Sequence, residues 1–461
     1  MIEIHIFDTI MYNQPSLHLP VKIFFLVFLL TQLMTSCQKG KTGNNTPDNN
    51  DPVTNNVQPL SQKMFGDTLY DWINAMAPSS DGGHLLVGFT NYDTAGSTHN
   101  GDAWMVKVNS KGDTVWTRTM GGPHFETANA VVAAPDGGFI VVCAADSSNS
   151  NYAGSNFGGT DWWIIKLKSN GDTDWTRLIG TTAFEYPIGV AVTPDGSFIV
   201  TGYKSSSAIN GDVMVVKLSN TGNIIWQKTL GGQWRDWGGA VTVALDGSIL
   251  IAAISQNSNS GDVVGTNHGE EDYWIIKLNP NGSIVWSKLL GGDKIDVASA
   301  IKSTPDGGCI VVGSTTSSEN GSVTGKNHGD QDLWVVKLSN SGDITWNSLF
   351  GGSRTDVLGN NTNIVITPEG NFVIAGFSSS YDGDVGQIKG GFDFWLLKLD
   401  SNGKKIWSKT CGGISDDQAN DLSMNTDGSF WVVGGTESNN NGNVGANKGR
   451  GDGWLIRVKD E

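Results

Sequence analysis

Cysteine and histidine are scarce in this chain, with four Cys and seven His in 461 residues. Three of the cysteines, Cys143, Cys309 and Cys411, are spaced like no metal knuckle, and an odd number cannot all pair. They read as small buried apolar side chains. Beyond residue 60 the histidines are His84, His99, His124, His268 and His328. No Ser/His/Asp or Cys/His catalytic set can be assembled from them. Positive charge is also short. Lys and Arg number 30 against 46 Asp and Glu, a formal net charge of -16. That balance disfavours nucleic acid as a partner, because its phosphates recruit basic surfaces. The acids form no continuous run, so no acidic tail is indicated. Residues 21–36, VKIFFLVFLLTQLMTS, are an apolar run too short to span a bilayer comfortably.

What the chain has instead is repetition, with abundant glycine (61) and tryptophan (17). One row reads DAWMVKV from Asp102, DWWIIKL from Asp161, DVMVVKL from Asp212 and DYWIIKL from Asp272. It continues as DLWVVKL from Asp332, DFWLLKL from Asp393 and DGWLIRV from Asp452. Seven copies at steps of 51 to 61 residues mean a radial or stacked array. Each copy divides into four strand-like pieces. From Thr127 these are TANAVVA, a PDGG turn, FIVVCAA, a long polar loop, DWWIIKL, an SNGD turn and TDWTRLIG. Asp-Gly and Asn-Gly favour tight hairpins, and four short strands per unit is the plan of a propeller blade.

Six copies end in a Trp-bearing strand: Trp116, Trp175, Trp226, Trp286, Trp346 and Trp407. The seventh stops at Glu461, before its fourth strand. LSQKMFGD, from Leu60 to Asp67, matches WSKTCGGI, from Trp407 to Ile414. The expected fold is therefore all-β, a seven-bladed β-propeller of four-stranded blades closed by an N-terminal strand, which leaves the ring no free edge. Twelve Trp at two repeat positions are expected to fill the space between blades. The repeated Lys107, Lys166, Lys217, Lys277, Lys337 and Lys398, with Arg457 last, are expected to lay their stems on a blade and carry their charge to water or a carboxylate.

The first 36 residues read as a secretory signal. Asp8, Pro15 and Pro20 do not suit a signal's opening, which suggests that translation begins near Val21. LMTSC, ending at Cys37, resembles the bacterial lipobox, in which the Cys becomes the lipidated first residue. That resemblance implies a membrane anchor at Cys37. The absence of Asp after Cys37 leans towards the outer membrane, on its periplasmic or cell-surface side. Residues 37–59 are rich in Asn, Thr and Pro and read as a flexible tether. The propeller is assigned to residues 60–461.

DYWIIKLNPNGSIVWSKLLGG (Asp272 to Gly292) and DVASAIKSTPDGGCIVVGSTTS (Asp296 to Ser317) resemble the SBBP-type β-propeller repeat of exported bacterial proteins, including Bacteroidetes lipoproteins. The resemblance covers residues 60–461 and implies the fold. It implies no activity, since that family shares no catalytic residues. KLSNTGNIIW (Lys217 to Trp226) resembles the tryptophan-docking motif of quinoprotein propellers, but no quinone or calcium ligand set accompanies it. The turn-plus-Trp pattern resembles sialidase Asp boxes, but its spacing is one residue longer. The arginine cluster a sialidase needs is also missing, since only Arg235 and Arg354 fall in suitable loops.

Two rows of acids mark the repeats. One is the Asp before each third strand. The other is Asp71, Glu126, Glu185, Asp236, Asp296, Asp356 and Asp417, before the first strands. Such acids either accept backbone N–H bonds and fix the loops, or form a negative ring at the channel mouth. The loop GDVVGTNHGEED (Gly261 to Asp272) and its relatives from Gly321, Gly383 and Gly442 are rich in oxygen donors. That makes calcium a candidate, although the Asp-x-Asp-x-Asp-Gly pattern is absent. His268 and His328 hold one repeat position, as NHG, and read as repeat features.

Tight turns fall on one face of the ring, long loops and inter-blade connections on the other. Function is expected on the long-loop face. Aromatics cluster in four consecutive connections there. Tyr70, Phe125, Phe184, Tyr186 and Trp234, with Arg235, are the candidate ligand-binding residues, suited to a glycan or protein ligand. Trp72 and Trp237 are the aromatics expected to be buried. The expected function is non-catalytic binding. The alternative is a glycan-active hydrolase or lyase using carboxylates of the same face.

Overall fold

The computed structural model describes residues 55–56, 58–93, 100–146, 157–207, 210–359 and 364–460. The signal segment, Cys37 and most of the segment read as a tether lie outside the described residues. So do His99 and parts of the long loops of the first three blades.

The described chain is all-β and contains no helix. It forms seven blades of four antiparallel strands, a β-propeller. Blades 1 to 7 cover residues 70–120, 126–179, 184–230, 236–290, 296–350, 356–411 and 417–458. In blade 1 the four strands run Tyr70–Pro78, His84–Tyr92, Asn100–Val108 and Thr114–Met120. Blade 6 has its first strand in two pieces, Asp356–Val357 and Ile364–Ile366.

The apolar pattern follows from the stacking of blades. Ile249–Ser255 and Asp272–Leu278, the middle strands of blade 4, are buried at every position. A strand covered on both faces reads as a continuous apolar run rather than an alternating one. The core is seven apolar clusters, one at each seam between neighbouring blades. Trp163, Trp274, Trp334, Trp395 and Trp454, on the third strands, are among the largest fully buried side chains.

The fourth-strand Trp residues dock each blade onto the next. Trp175, Trp226, Trp286 and Trp346 donate from Nε1 to the carbonyls of Asn220, Pro280, Asn340 and Ser401 at 3.0 to 3.2 Å. Those carbonyls belong to the next blade's tight turn. The turn glycine packs on the ring: a Cβ on Gly222 (φ +79°) would lie 2.9 Å from Trp175. Both Trp rows thus fill the seams, as their spacing predicts. In four blades the repeated Lys finds a carboxylate in the hairpin turn of its own blade, while Lys277 bonds Asn340 of the next blade and Lys398 pairs with Asp460. Lys107 meets Asp81 at 2.9 Å, Lys166 Asp136 at 2.7 Å, Lys217 Asp195 at 2.9 Å and Lys337 Asp306 at 2.8 Å. The Asp of the Asp-Gly turn therefore shapes the hairpin and neutralises a buried ammonium.

Ser61–Phe65 pairs antiparallel with Asp452–Val458 and completes blade 7, so the two ends of the chain close the ring. The register differs by one residue from the sequence match. Ser61 stands opposite Arg457, the place Trp407 holds opposite Lys398. Without a Trp to anchor it, the match at Leu60 slipped. At this seam Lys63 pairs with Asp113 of blade 1 at 2.6 Å. Its cluster holds nine buried side chains, against twelve to fifteen at the other seams. Asn55–Asn56, inside the expected tether, pairs parallel with Lys405–Cys411 on the rim of blade 6.

Candidate functional site

On the long-loop face each connection between blades begins at a glycine wedged between two acids. A Cβ on Gly291 would lie 2.3 Å from Asp272 Oδ1 and 2.8 Å from Asp296 Oδ2. The same pairs recur at Gly351 (Asp332, 2.5 Å; Asp356, 2.7 Å), Gly412 (Asp393, 2.4 Å; Asp417, 2.9 Å) and Gly66 (Asp452, 2.5 Å; Asp71, 2.7 Å). Any other residue would drive its Cβ into the carboxylates.

The first-strand acids are wholly buried, and in blades 5 to 7 each accepts three hydrogen bonds, whereas Asp236 Oδ1 has no donor. Asp296 accepts from Thr315 Oγ1, from Ser317 Oγ at 3.0 Å and from Gly292 N at 2.7 Å. Asp356 accepts from Ser378 Oγ, Ser380 Oγ (2.9 Å) and Gly352 N (2.8 Å). Asp417 accepts from Thr436 Oγ1, Ser438 Oγ (3.0 Å) and Gly413 N (2.7 Å). The hydroxyl opposite the acid is missing in two blades, which carry Ala145 and Lys204 there. In those two blades the acid is Glu126 or Glu185, one methylene longer. Glu126 still accepts from Gly122 N at 2.7 Å, and Glu185 from Thr181 N at 3.1 Å.

The third-strand acids close the long loops. Asp272 Oδ2 accepts from His268 N at 3.0 Å and Asp332 Oδ2 from His328 N at 2.9 Å. Asp393 and Asp452 accept from Lys389 N and Lys448 N. His268 and His328 also turn Nδ1 to the same carboxylates, at 3.3 and 2.8 Å. Both acid rows thus fix loops, and the reading as a negative ring at the channel mouth falls. Asp102 and Asp212 are half-buried, and the other twelve acids are buried outright. The loop oxygens read as calcium donors are engaged too. Asn267 Oδ1 accepts from Gly269 N at 2.9 Å, and Asp262 Oδ2 from Gly231 N at 3.3 Å. Among the described residues no three acid, His or Cys side chains are set to hold a metal ion.

Burial raises the pKa of Asp296, Asp356, Asp393, Asp417 and Asp452, and a nearby acid adds to each shift. Asp296, Asp393 and Asp452 rise to about 6, Asp356 and Asp417 to about 7. Asp272, Asp332, Asp393 and Asp452 each bury an Oδ1 that has no hydrogen-bond donor. A carboxyl raised to about 6 or 7 keeps part of its proton at neutral pH, which lowers the charge held at each seam.

The same hydroxyls and amides hold the connection backbone. Asn257 Oδ1 accepts from Trp234 N at 2.8 Å, Ser317 Oγ from Lys294 N at 3.1 Å and Ser380 Oγ from Arg354 N at 3.0 Å. Ser438 Oγ accepts from Ser415 N at 3.0 Å. Trp234, Lys294, Arg354 and Ser415 share one register position, two residues before the seam acid. Trp234 is 54% exposed, and Lys294 and Arg354 are exposed as well.

The six sequence-selected residues lie at four consecutive seams, and most of them pack against neighbouring side chains. Phe125 packs edge-on against Phe89 and Tyr92, at 5.5 and 5.4 Å. Phe184 is buried and stacks on Tyr186 at 6.3 Å, and both lean on Tyr203. Tyr203 meets Trp237 edge-on, and Arg235 lies 3.5 Å over the Trp237 ring and 3.8 Å from Glu271. Tyr70, half-buried, has the Glu437 carboxyl beside its hydroxyl. Trp234 alone of the six projects freely. Trp72 is buried as expected, while Trp237 is half-buried. Sequence reasoning missed Lys294, Arg354 and Tyr381. The shared register of Trp234, Lys294 and Arg354 was the available signal.

These features define a seven-bladed propeller whose long-loop face displays side chains from clamped connections. No protein-family model matches the chain. The regulatory protein FlaEY of Caulobacter vibrioides is 28% identical over 269 residues, 54% of this chain and 27% of that protein. This chain therefore spans well under half of that relative's length. Among solved structures, polysaccharide lyase Uly1 superposes with a TM-score of 0.51 at 12% identity, covering 88% of this chain and 100% of that one. A protein of unknown function from Bacteroides caccae gives 0.40 at 14% identity, over 71% of this chain and 93% of that one. The likeness to Uly1 shows the fold alone.

Proposed function

We propose that this is an exported protein, anchored through a lipid on Cys37 at the outer membrane, whose propeller binds a ligand on the long-loop face without turning it over. One observation carries the reading: exposed side chains at an identical position in consecutive seams, on a backbone clamped by buried hydrogen bonds. Such preorganisation lowers the entropy lost on binding. The buried acid rows cannot reach a substrate, which removes the most obvious acid–base pairs. Screening the full chain on a broad glycan and peptide array, then assaying hits for turnover, tests the reading. Binding without product supports it, and no binding to any class sinks it.

A second reading, a glycan-active hydrolase or lyase, is favoured by one site at the seam of blades 7 and 1. Burial and the nearby Asp416 raise the Glu437 carboxyl to about 7, and the Tyr70 hydroxyl lies beside it. A half-buried carboxyl near 7 beside a phenol suits proton transfer at neutral pH. Loss of turnover in Glu437→Gln, with binding kept, would select this reading.

A further inference from the structure

Three consecutive seams display Trp234, Lys294 and Arg354 at one register position. Among the described residues neither Lys294 nor Arg354 has a carboxylate at ion-pair distance. Asp293, next to Lys294, is instead held by Asn320 Nδ2 at 2.6 Å. The Arg354 guanidinium lies 4.6 Å over the Tyr381 ring and donates to the Tyr381 hydroxyl at 3.4 Å. Tyr381 is itself 50% exposed. The backbone N–H groups of Trp234, Lys294 and Arg354 are each held by a side chain that also bonds the buried seam acid. The row is therefore a rigid display of ring, cation, and cation on ring. Lys107, Lys166, Lys217 and Lys337, by contrast, are buried and matched with turn carboxylates.

We infer that this row binds a short carboxylated glycan, with Trp234 and Tyr381 against its sugar rings and Lys294 and Arg354 on its carboxylates. The inference rests on the ligand-binding reading above and names its ligand class. Aromatic faces give flat apolar area for the C–H face of a pyranose, with polar groups fixing orientation. The planar fork of Arg matches a carboxylate in two parallel hydrogen bonds, while Lys supplies a point charge. Two cations suit a segment with one or two acidic sugars. The net charge of -16 opposes a long polyanion, nucleic acid included.

Calorimetric titration of the full chain with galacturonate, glucuronate and mannuronate oligosaccharides, each beside its methyl ester, tests the inference. At least one acid form should bind about tenfold more tightly than its ester, as a charge-assisted contact requires. Lys294→Ala and Arg354→Ala should each weaken that binding about five- to tenfold without lowering the melting temperature. Added salt should weaken it further. Esters that bind as well as acids, or charge variants that bind as well as the parent, overturn the inference. Tighter binding of a single-stranded oligonucleotide, which also stacks on aromatics, overturns it too. If a neutral glycan or a peptide is bound and Trp234→Ala abolishes that binding, the ligand-binding reading stands and the carboxylate assignment falls. If nothing on the array binds, both fall.

Discussion

Replacing Asp393 with Asn should make the protein more stable at pH 8 and leave it little changed at pH 5. Asp393 Oδ2 accepts from Lys389 N at 2.9 Å, and an Asn oxygen can keep that bond. Asp393 Oδ1 is buried without a donor and converges with Asp417 Oδ2 on Gly412. An Asn there offers Nδ2 hydrogens and has no carboxyl to ionise. Lys389, Asp416 and the buried Cys411 also face this seam, and Lys389 opposes the upward shift. Burial, the largest cause, lifts Asp417 to about 7. Ionising a carboxyl held near 7 rather than about 4 costs on the order of 4 kcal/mol in the fold. The sign follows from the folded pKa lying above the unfolded one. The folded state binds more protons, so stability is full below pH about 4, falls as pH rises to about 7, and is then level. Removing that cost at one seam should recover about 2 kcal/mol at pH 8, a few degrees in melting temperature. Scanning calorimetry of parent and variant from pH 5 to 9 measures it. Equal destabilisation of the variant at both pH values would refute the ionisation cost.

Deleting residues 60–66 removes the closing strand and exposes the edge of Asp452–Val458, so aggregation or a large fall in melting temperature is expected. Deleting residues 38–50 should leave melting unchanged, and equal melting of the two deletions would speak against closure by the N-terminal strand. Gly291→Ala places a Cβ 2.3 Å from Asp272 Oδ1 and should destabilise by about 3 kcal/mol or more, read by denaturant melting. Cys37→Ala should move the protein from the membrane to the soluble fraction, because stable attachment needs its acyl chains. Retention after carbonate and high-salt washing would remove the lipid-anchor reading.

The repeat, the blade count, the tight turns and both Trp rows were legible because each is written locally and many times over. The closing strand was legible as a strand, but its register was not, since Ser61 stands where six copies carry Trp. The acid rows were visible, but their burial was not. The hydroxyls that bury them, Thr315 and Ser317 for Asp296, lie 19 and 21 residues on and meet the acid only across a strand pair. The exchange of Asp for Glu in the blades that lack that hydroxyl was present in the sequence as Glu126 with Ala145 and Glu185 with Lys204. Residue type alone did not show which of the aromatics reach solvent. Aromatics were taken as one surface, yet Phe125, Phe184 and Tyr186 spend their faces on other rings. Exposure depends on the neighbouring blade, which sequence spacing alone does not place.

The central claim is that ligand meets the clamped connections of the long-loop face. Hydroxyl-radical footprinting of the full chain, with and without the tightest array hit, addresses it directly. Trp234 and Tyr381 are 54% and 50% exposed and should both lose reactivity on binding, while Val115 and Ile225 on the fourth strands, at 58% and 52%, should keep theirs. Protection of Val115 or Ile225 with Trp234 and Tyr381 unchanged would place the ligand elsewhere and contradict the account.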